Sequence, residues 1–345
     1  MELISGIQQV GIGVPNADES WEWYRKNFGL NVPIFNDVAE AKLMIRYTNG
    51  EVRERHAIMA LSMAGGGGAE IWQYTKRIPT ESKFEPQFGD LGIFAMKIKS
   101  LDVPQFAKIQ GKNIEISPEN LPYFWQKDLL GNQLQVVQNN SWFKPNGHIS
   151  GGVCGVIIGV SDIEKSLKLY HNTLNINELA YDITGVFEDF KIFGEAGKGK
   201  FRRVLLRKSL GKSGAFSKLL GGIEIELVQS LDRKPRPIFE NRNWGDVGFI
   251  HVCFDALDMD ILKQKCQQNG FPFTVDSADS FDMGEAAGRF SYLEDPDGTL
   301  IEFVETHKVP ILKKLGIYLN LKKRKTQKPL PDWMVSTLGW SKVKD

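Results

Sequence analysis

The sequence predicts an α+β chain built from four copies of one strand–helix–strands unit. Three observations carry this reading. Two stretches 146 residues apart share one pattern, two others 156 residues apart share a second, and four segments close on related strands. The first stretch, Gln9-Val-Gly-Ile-Gly-Val-Pro-Asn, alternates like a strand, then places Trp21, Trp23 and Tyr24 on a helical run that ends in Asn27-Phe-Gly-Leu30. Its counterpart, Gly155-Val-Ile-Ile-Gly-Val-Ser-Asp, leads through Ser166, Leu167, Leu169 and Tyr170 to Asn172-Thr-Leu-Asn175. In both, a polar residue caps a helix of about three turns.

The second pattern, Gly92-Ile-Phe-Ala-Met-Lys-Ile-Lys-Ser-Leu-Asp102, matches Gly248-Phe-Ile-His-Val-Cys-Phe-Asp-Ala-Leu-Asp258, and each precedes a short amphipathic segment. The closing strands are Glu70-Ile-Trp-Gln-Tyr74, Gln135-Val-Val-Gln138, Glu226-Leu-Val-Gln229 and Glu302-Phe-Val-Glu305. Asp128-Leu-Leu-Gly-Asn132 and Asp295-Pro-Asp-Gly-Thr299 are hairpin signals before the second and fourth, and glycine runs at Gly65 to Gly68 and Gly221-Gly222 precede the others. Four units follow, at 6–75, 90–140, 152–230 and 246–306.

A chain of 345 residues suggests about two domains. With 43 basic against 42 acidic residues, it is neither a disordered polyelectrolyte nor a basic nucleic-acid binder. The charge is divided, however: residues 308–345 carry a net +8 and the remainder a net −7. Cys154, Cys253 and Cys266 are too few, and odd in number, for a disulfide framework. The N-terminus lacks the basic start and apolar run of a signal peptide, and no stretch reaches 18 uninterrupted apolar residues. A reducing, cytoplasmic setting is the expectation; the oligomeric state is not encoded in any pattern.

The repeated unit, its Asp-Pro-Asp-Gly turn and its Ile-Glu-Phe-Val final strand resemble the vicinal oxygen chelate superfamily of glyoxalase I, bleomycin-resistance proteins and extradiol dioxygenases. The likeness spans residues 6–306, and four units in one chain are similar in layout to the extradiol and hydroxyphenylpyruvate dioxygenases. It implies βαβββ modules paired into two half-open barrels, here 1–145 and 146–307, followed by a C-terminal helical extension at 308–345. It also implies a small-molecule substrate and metal ligands on the first and last strands of each pair.

Carried over on that resemblance, the N-terminal pair offers Gln9, Glu70, Ala95 and Gln135. That is a poor donor set, since alanine is no ligand and carboxamides are weak ones. The C-terminal pair offers Gly155, Glu226, His251 and Glu302. Strand alternation supports the latter group, because Ile250, Val252 and Phe254 form an apolar face and leave His251 on the other. Buried glutamates facing a histidine need a cation or proton between them. The expectation is one divalent ion (Fe, Mn, Ni, Zn or Mg) on Glu226, His251 and Glu302, retained on Gln9→Ala. Glycine at 155, where the family usually has histidine or glutamine, departs from the pattern.

The implied function is an isomerase or lyase in which the metal acts as Lewis acid and Glu226 or Glu302 moves a proton. An Fe(II) extradiol or keto-acid dioxygenase and a non-enzymatic small-molecule binder are the alternatives. The motif Gly194 to Lys200 is not a P-loop, because Phe201 stands where Ser or Thr is required. Arg203, Arg207 and Arg289 are candidates for binding a substrate carboxylate. In the tail, Ile311, Leu312, Leu315 and Leu319 are at helical spacing, which predicts an amphipathic helix docked on the chain's own C-terminal half. Contact with a membrane or acidic partner through the basic tail is the second reading of its charge.

Overall fold

The computed structural model describes residues 2–278, 281–283, 286–312, 317–322 and 327–344. The four units are present as βαβββ modules. The first comprises β1 (Ile4–Gly13), α1 (Ala17–Phe28), β2 (Val32–Glu40), β3 (Glu54–Leu61) and β4 (Gly68–Tyr74). The second comprises β5 (Gly92–Ser100), α2 (Val103–Gln110), β6 (Glu115–Ile116), β7 (Pro122–Lys127) and β8 (Gln133–Gln138). The third comprises β9 (Ser150–Gly159), α3 (Ile163–Leu167) with a π-helical continuation, β10 (Glu178–Gly185), β11 (Phe201–Lys208), the short α4 (Ser217–Leu220) and β12 (Ile223–Ser230). The fourth comprises β13 (Gly248–Ala256), α5 (Met259–Gln268), β14 (Val275–Asp276), β15 (Phe281–Met283), β16 (Ala286–Glu294) and β17 (Leu300–Leu312).

Local chemistry accounts for these boundaries. Each module's main helix begins at a side chain that accepts an otherwise unpaired amide: Asn16 from Glu19, Asp102 from Gln105, Asp162 from Lys165 and Asp258 from Ile261. The hairpin signals fold as read, with Asp128 Oδ1 accepting from the Asn132 amide and Asp295 Oδ1 from the Thr299 amide.

The pairing of modules differs from the expected one. Two curled sheets form, ordered β14-β16-β17-β13-β1-β4-β3-β2 and β10-β11-β12-β9-β5-β8-β7-β6. The first module therefore shares a half-barrel with the fourth through antiparallel β1 and β13, and the second with the third through β5 and β9. The expected boundary between 145 and 146 does not separate the sheets. The linkers give a physical reason. Only 11 residues (139–149) join the second and third modules, which pair as neighbours, whereas 17 residues on each flank (75–91 and 231–247) carry the outer modules around to each other.

The two half-barrels are pinned together at equivalent points. Tyr24 on α1 donates to Asp128 Oδ2 at 2.9 Å, and Tyr170 donates to Asp295 Oδ2 at 3.0 Å, so a helix tyrosine of each sheet reaches a hairpin turn of the other. One apolar core runs through both, from Val10 and Ile12 on β1 to Val156 and Ile158 on β9 and Val252 and Phe254 on β13.

The tail corrects a second expectation. β17 continues through Leu312, and β18 (Ile317–Asn320) pairs back on it with Lys308 opposite Asn320, so Ile311, Leu312 and Leu319 are in strands and Leu315 lies outside the described residues. A strand already paired to β16 propagates its hydrogen bonding more readily than a short helix nucleates. The helical part comes later, as α6 (Asp332–Ser336) and a 3₁₀ turn over Thr337–Ser341. It docks chiefly on the first module and α4: Leu330 and Val335 are buried with Val32, Leu61, Met63 and Leu219.

Candidate metal centre

The pairing of the first and fourth modules decides the composition of the site. β1 presents Gln9, β4 Glu70, β13 His251 and β17 Glu302. Gln9 is opposite Cys253, Gly11 is opposite both His251 and Glu70, and Cys253 is beside Glu302, which brings all four side chains to one patch of the sheet. Ligand atoms of Glu70, His251 and Glu302 lie within 4.8 Å of one another. His251 Nε2 is 3.0 Å from Glu302 Oε2 and 3.3 Å from Glu70 Oε2. Gln9 Nε2 donates to the same oxygens of Glu70 at 3.2 Å and Glu302 at 3.4 Å.

Two local features make room for the imidazole. β13 carries one extra residue between His251 and Phe249 relative to β1, a bulge that turns Ile250 toward the inner cluster while Phe249 stays in the main core. The alternation expected for Ile250 fails there because the bulge resets it. On β1, Gly11 leaves the space the ring occupies: a Cβ at that position would be 2.3 Å from His251 Cε1.

His251 and Glu302 are buried, and Glu70 is 13% exposed. Burial disfavours a charged imidazole, but Glu302 and then Glu70 outweigh it and push the His251 pKa up to about 9. Despite the short approaches to the two carboxylates, neither ring nitrogen of His251 has hydrogen-bond geometry, and both are buried. An unpartnered buried nitrogen between two carboxylate oxygens fits a cation position: ligands about 2.0–2.2 Å from an ion and at right angles are separated by about 3 Å. One nitrogen and two carboxylates suit a divalent ion, and Gln9, whose Nε2 faces the carboxylates here, would supply its carboxamide oxygen as a fourth donor with the amide turned over. Trp72, Ile250, Tyr292 and Trp244 form an apolar cluster beside them, with the Tyr292 ring edge-on to His251 at 5.4 Å.

Glu226 does not belong to this group. It lies in the other sheet, where Arg203 donates to it at 2.7 Å and the Lys97 ammonium is 2.9 Å away. Burial alone would raise its pKa, but Lys97 and Arg203 hold it down at about 2. The expected triad of Glu226, His251 and Glu302 is thus replaced by Glu70, His251 and Glu302. Gln9 and Glu70, read from sequence as members of a poor donor set with Ala95 and Gln135, lie beside His251 and Glu302 instead. The signal that could have placed them is the chain's own repeat, because Gln9 and Glu70 occupy in the first module the positions of Gly155 and Glu226 in the third. The three arginines considered for substrate binding are held by acids of the chain: Arg203 by Glu226 and Asp189, Arg207 by Glu119 and Glu224, and Arg289 by Asp260 and Asp276.

Comparison with known proteins agrees with this architecture. Residues 155–292 match the Glyoxalase/Bleomycin resistance protein/Dioxygenase superfamily. No curated protein matches the chain in sequence. Glyoxalase I from Zea mays is 13% identical, with 87% of this chain and 92% of that one covered at a TM-score of 0.50. A Bacillus subtilis protein with a provisional dioxygenase assignment is 14% identical, with 88% and 86% covered at 0.56. At such identities the likeness is one of fold. The repeat, the closing motifs, the match over residues 155–292 and the sheet architecture agree on a glyoxalase-like fold.

Proposed function

We propose that the protein is a divalent-metal-dependent isomerase or lyase acting on a small substrate with two adjacent oxygens. The observation that carries this reading is the convergence of Glu70, His251 and Glu302 around the unpartnered nitrogens of His251. Those three residues, with Gln9, would hold the ion, which supplies Lewis-acid polarisation of a substrate oxygen when bound. Whichever of Glu302 and Glu70 leaves the ion during turnover accepts a proton from the substrate and returns it to a neighbouring atom, and the Gln9 amide nitrogen orients both carboxylates. The apolar cluster of Trp72, Trp244, Ile250 and Tyr292 limits water beside them, which strengthens the electrostatics of the transfer.

The Fe(II) oxygenase alternative has less support, since such centres use two histidines and one carboxylate and this one offers a single histidine. The test combines metal content after chelator-free purification with proton exchange at the carbon adjacent to a substrate carbonyl, followed by NMR in deuterated water. One ion per chain and metal-dependent exchange that Glu302→Gln abolishes are expected. A protein that binds no divalent ion contradicts the reading. An ion-loaded protein that consumes oxygen with a catechol and catalyses no exchange favours the oxygenase.

A further inference from the structure

Among the described residues, the C-terminal helical segment packs one face on the chain and leaves the other exposed. Its inner face is fixed by burial of Leu330 and Val335 and by main-chain bonds from Leu330 N to Ala215 O and from Val343 N to Asn31 O, both 2.9 Å. Lys218 pairs with Asp332 at 2.7 Å. The outer face carries Trp333 and Trp340, which are 65% and 77% exposed. They are seven residues apart on the continuous helical run from Asp332 to Ser341, two turns along the same side. Indoles are seldom left this exposed, because each is a large apolar body with a single polar handle.

On the same segment, Lys342 and Lys344 are exposed and make no ion pair among the described residues, and residues 332–344 carry a net +1. We infer that this face docks the protein on an anionic membrane surface, with Trp333 and Trp340 at headgroup depth and Lys342 and Lys344 against the lipid charges. Indoles favour the interface between water and hydrocarbon, and lysines near an anionic leaflet each add favourable free energy. Docking is peripheral: among the described residues no helix is long and apolar enough to cross a membrane. A second copy of the chain is a poorer occupant, because a two-fold contact through this face would bring Lys342 and Lys344 of one copy toward those of the other.

The full-length protein is mixed with vesicles of phosphatidylcholine alone or of phosphatidylcholine with phosphatidylglycerol, and sedimentation and tryptophan emission are followed. Binding to the anionic vesicles, a blue-shifted emission quenched by brominated lipid, and loss of affinity with rising salt are expected. Trp333→Ala with Trp340→Ala lowers partitioning at least about tenfold, and Lys342→Gln and Lys344→Gln about fivefold each. Both tryptophans are exposed, so the double variant should keep the parent's melting temperature and metal stoichiometry. The inference fails if neither vesicle is bound or if the double tryptophan variant binds undiminished. It also fails if those tryptophans instead support a dimer seen by sedimentation equilibrium without lipid.

Discussion

The two half-barrels share one backbone plan and have opposite centres. The repeat equates Gln9 with Gly155, Glu70 with Glu226, His251 with Ala95 and Glu302 with Gln135. In the first half-barrel Gly11 faces His251; in the second Ile157 faces Ala95, so the space filled by an imidazole in one is filled by an isoleucine in the other. Lys97 stands where the first half-barrel has Cys253, with its ammonium 2.9 Å from Glu226. A fixed internal cation thus neutralises the glutamate that the other half-barrel leaves for an ion. The same strand positions can therefore serve a metal or a salt bridge, depending on whether the chain supplies its own positive charge. The next equivalent pair along the strands, Asp255 and Lys99, differs in sign as well, and burial shifts each toward neutrality, to about 7 and about 8 respectively.

This comparison can be broken or sharpened by substitution, and the largest effect is expected at Lys97. Lys97→Met leaves Glu226 buried with only Arg203 and should cost about 3–5 kcal/mol in urea denaturation. If the variant instead remains stable and takes up a second equivalent of divalent ion, the lysine is what excludes metal from that half-barrel.

Asp255 and Lys99 should give opposite pH slopes. Asp255 keeps its proton in the folded state between about 4, the ordinary carboxylate value, and 7, so stability falls as pH rises across that window. Lys99 loses its proton earlier in the folded state, so between about 8 and 10 stability rises with pH. Asp255→Asn should flatten the first limb, by roughly 4 kcal/mol, and Lys99→Met the second, by roughly 3 kcal/mol, read from chemical denaturation across pH.

In the first half-barrel, His251→Ala should weaken divalent-ion binding about 100-fold or more in a competition titration, with Glu226→Gln leaving it unchanged. Equal sensitivity to Glu226 would dissolve the distinction between the two centres. The smallest effect is expected for Gln9→Ala, about tenfold in the same titration, because a carboxamide is the weakest of the four donors.

The modules were legible because their signals are local. Asn16, Asp102, Asp162 and Asp258 cap helices within three residues, the aspartate-led turns close within four, and the strands between them alternate. His251 and Glu302 could be singled out for the same reason, as polar residues interrupting apolar strands. The extended tail strand was not legible, since Ile311, Leu312 and Leu319 satisfy a helical spacing as well as the two arms of a hairpin, and the pairing of β18 back on β17 decides between them. Lys97 gave no sign of its role, because an interior lysine is recognisable only once the carboxylate beside it is known.

By itself the sequence determined four βαβββ units, their turns and the residue types each strand brings to its face. Tertiary structure decided which unit meets which, and hence that Glu70 rather than Glu226 joins His251 and Glu302. The physical reason is that β1, β13, β5 and β9 pair through backbone amides and carbonyls, which are alike in every strand and carry no side-chain address. Partner choice follows instead from linker length and from the packing of whole faces, quantities distributed over the chain that no local window contains.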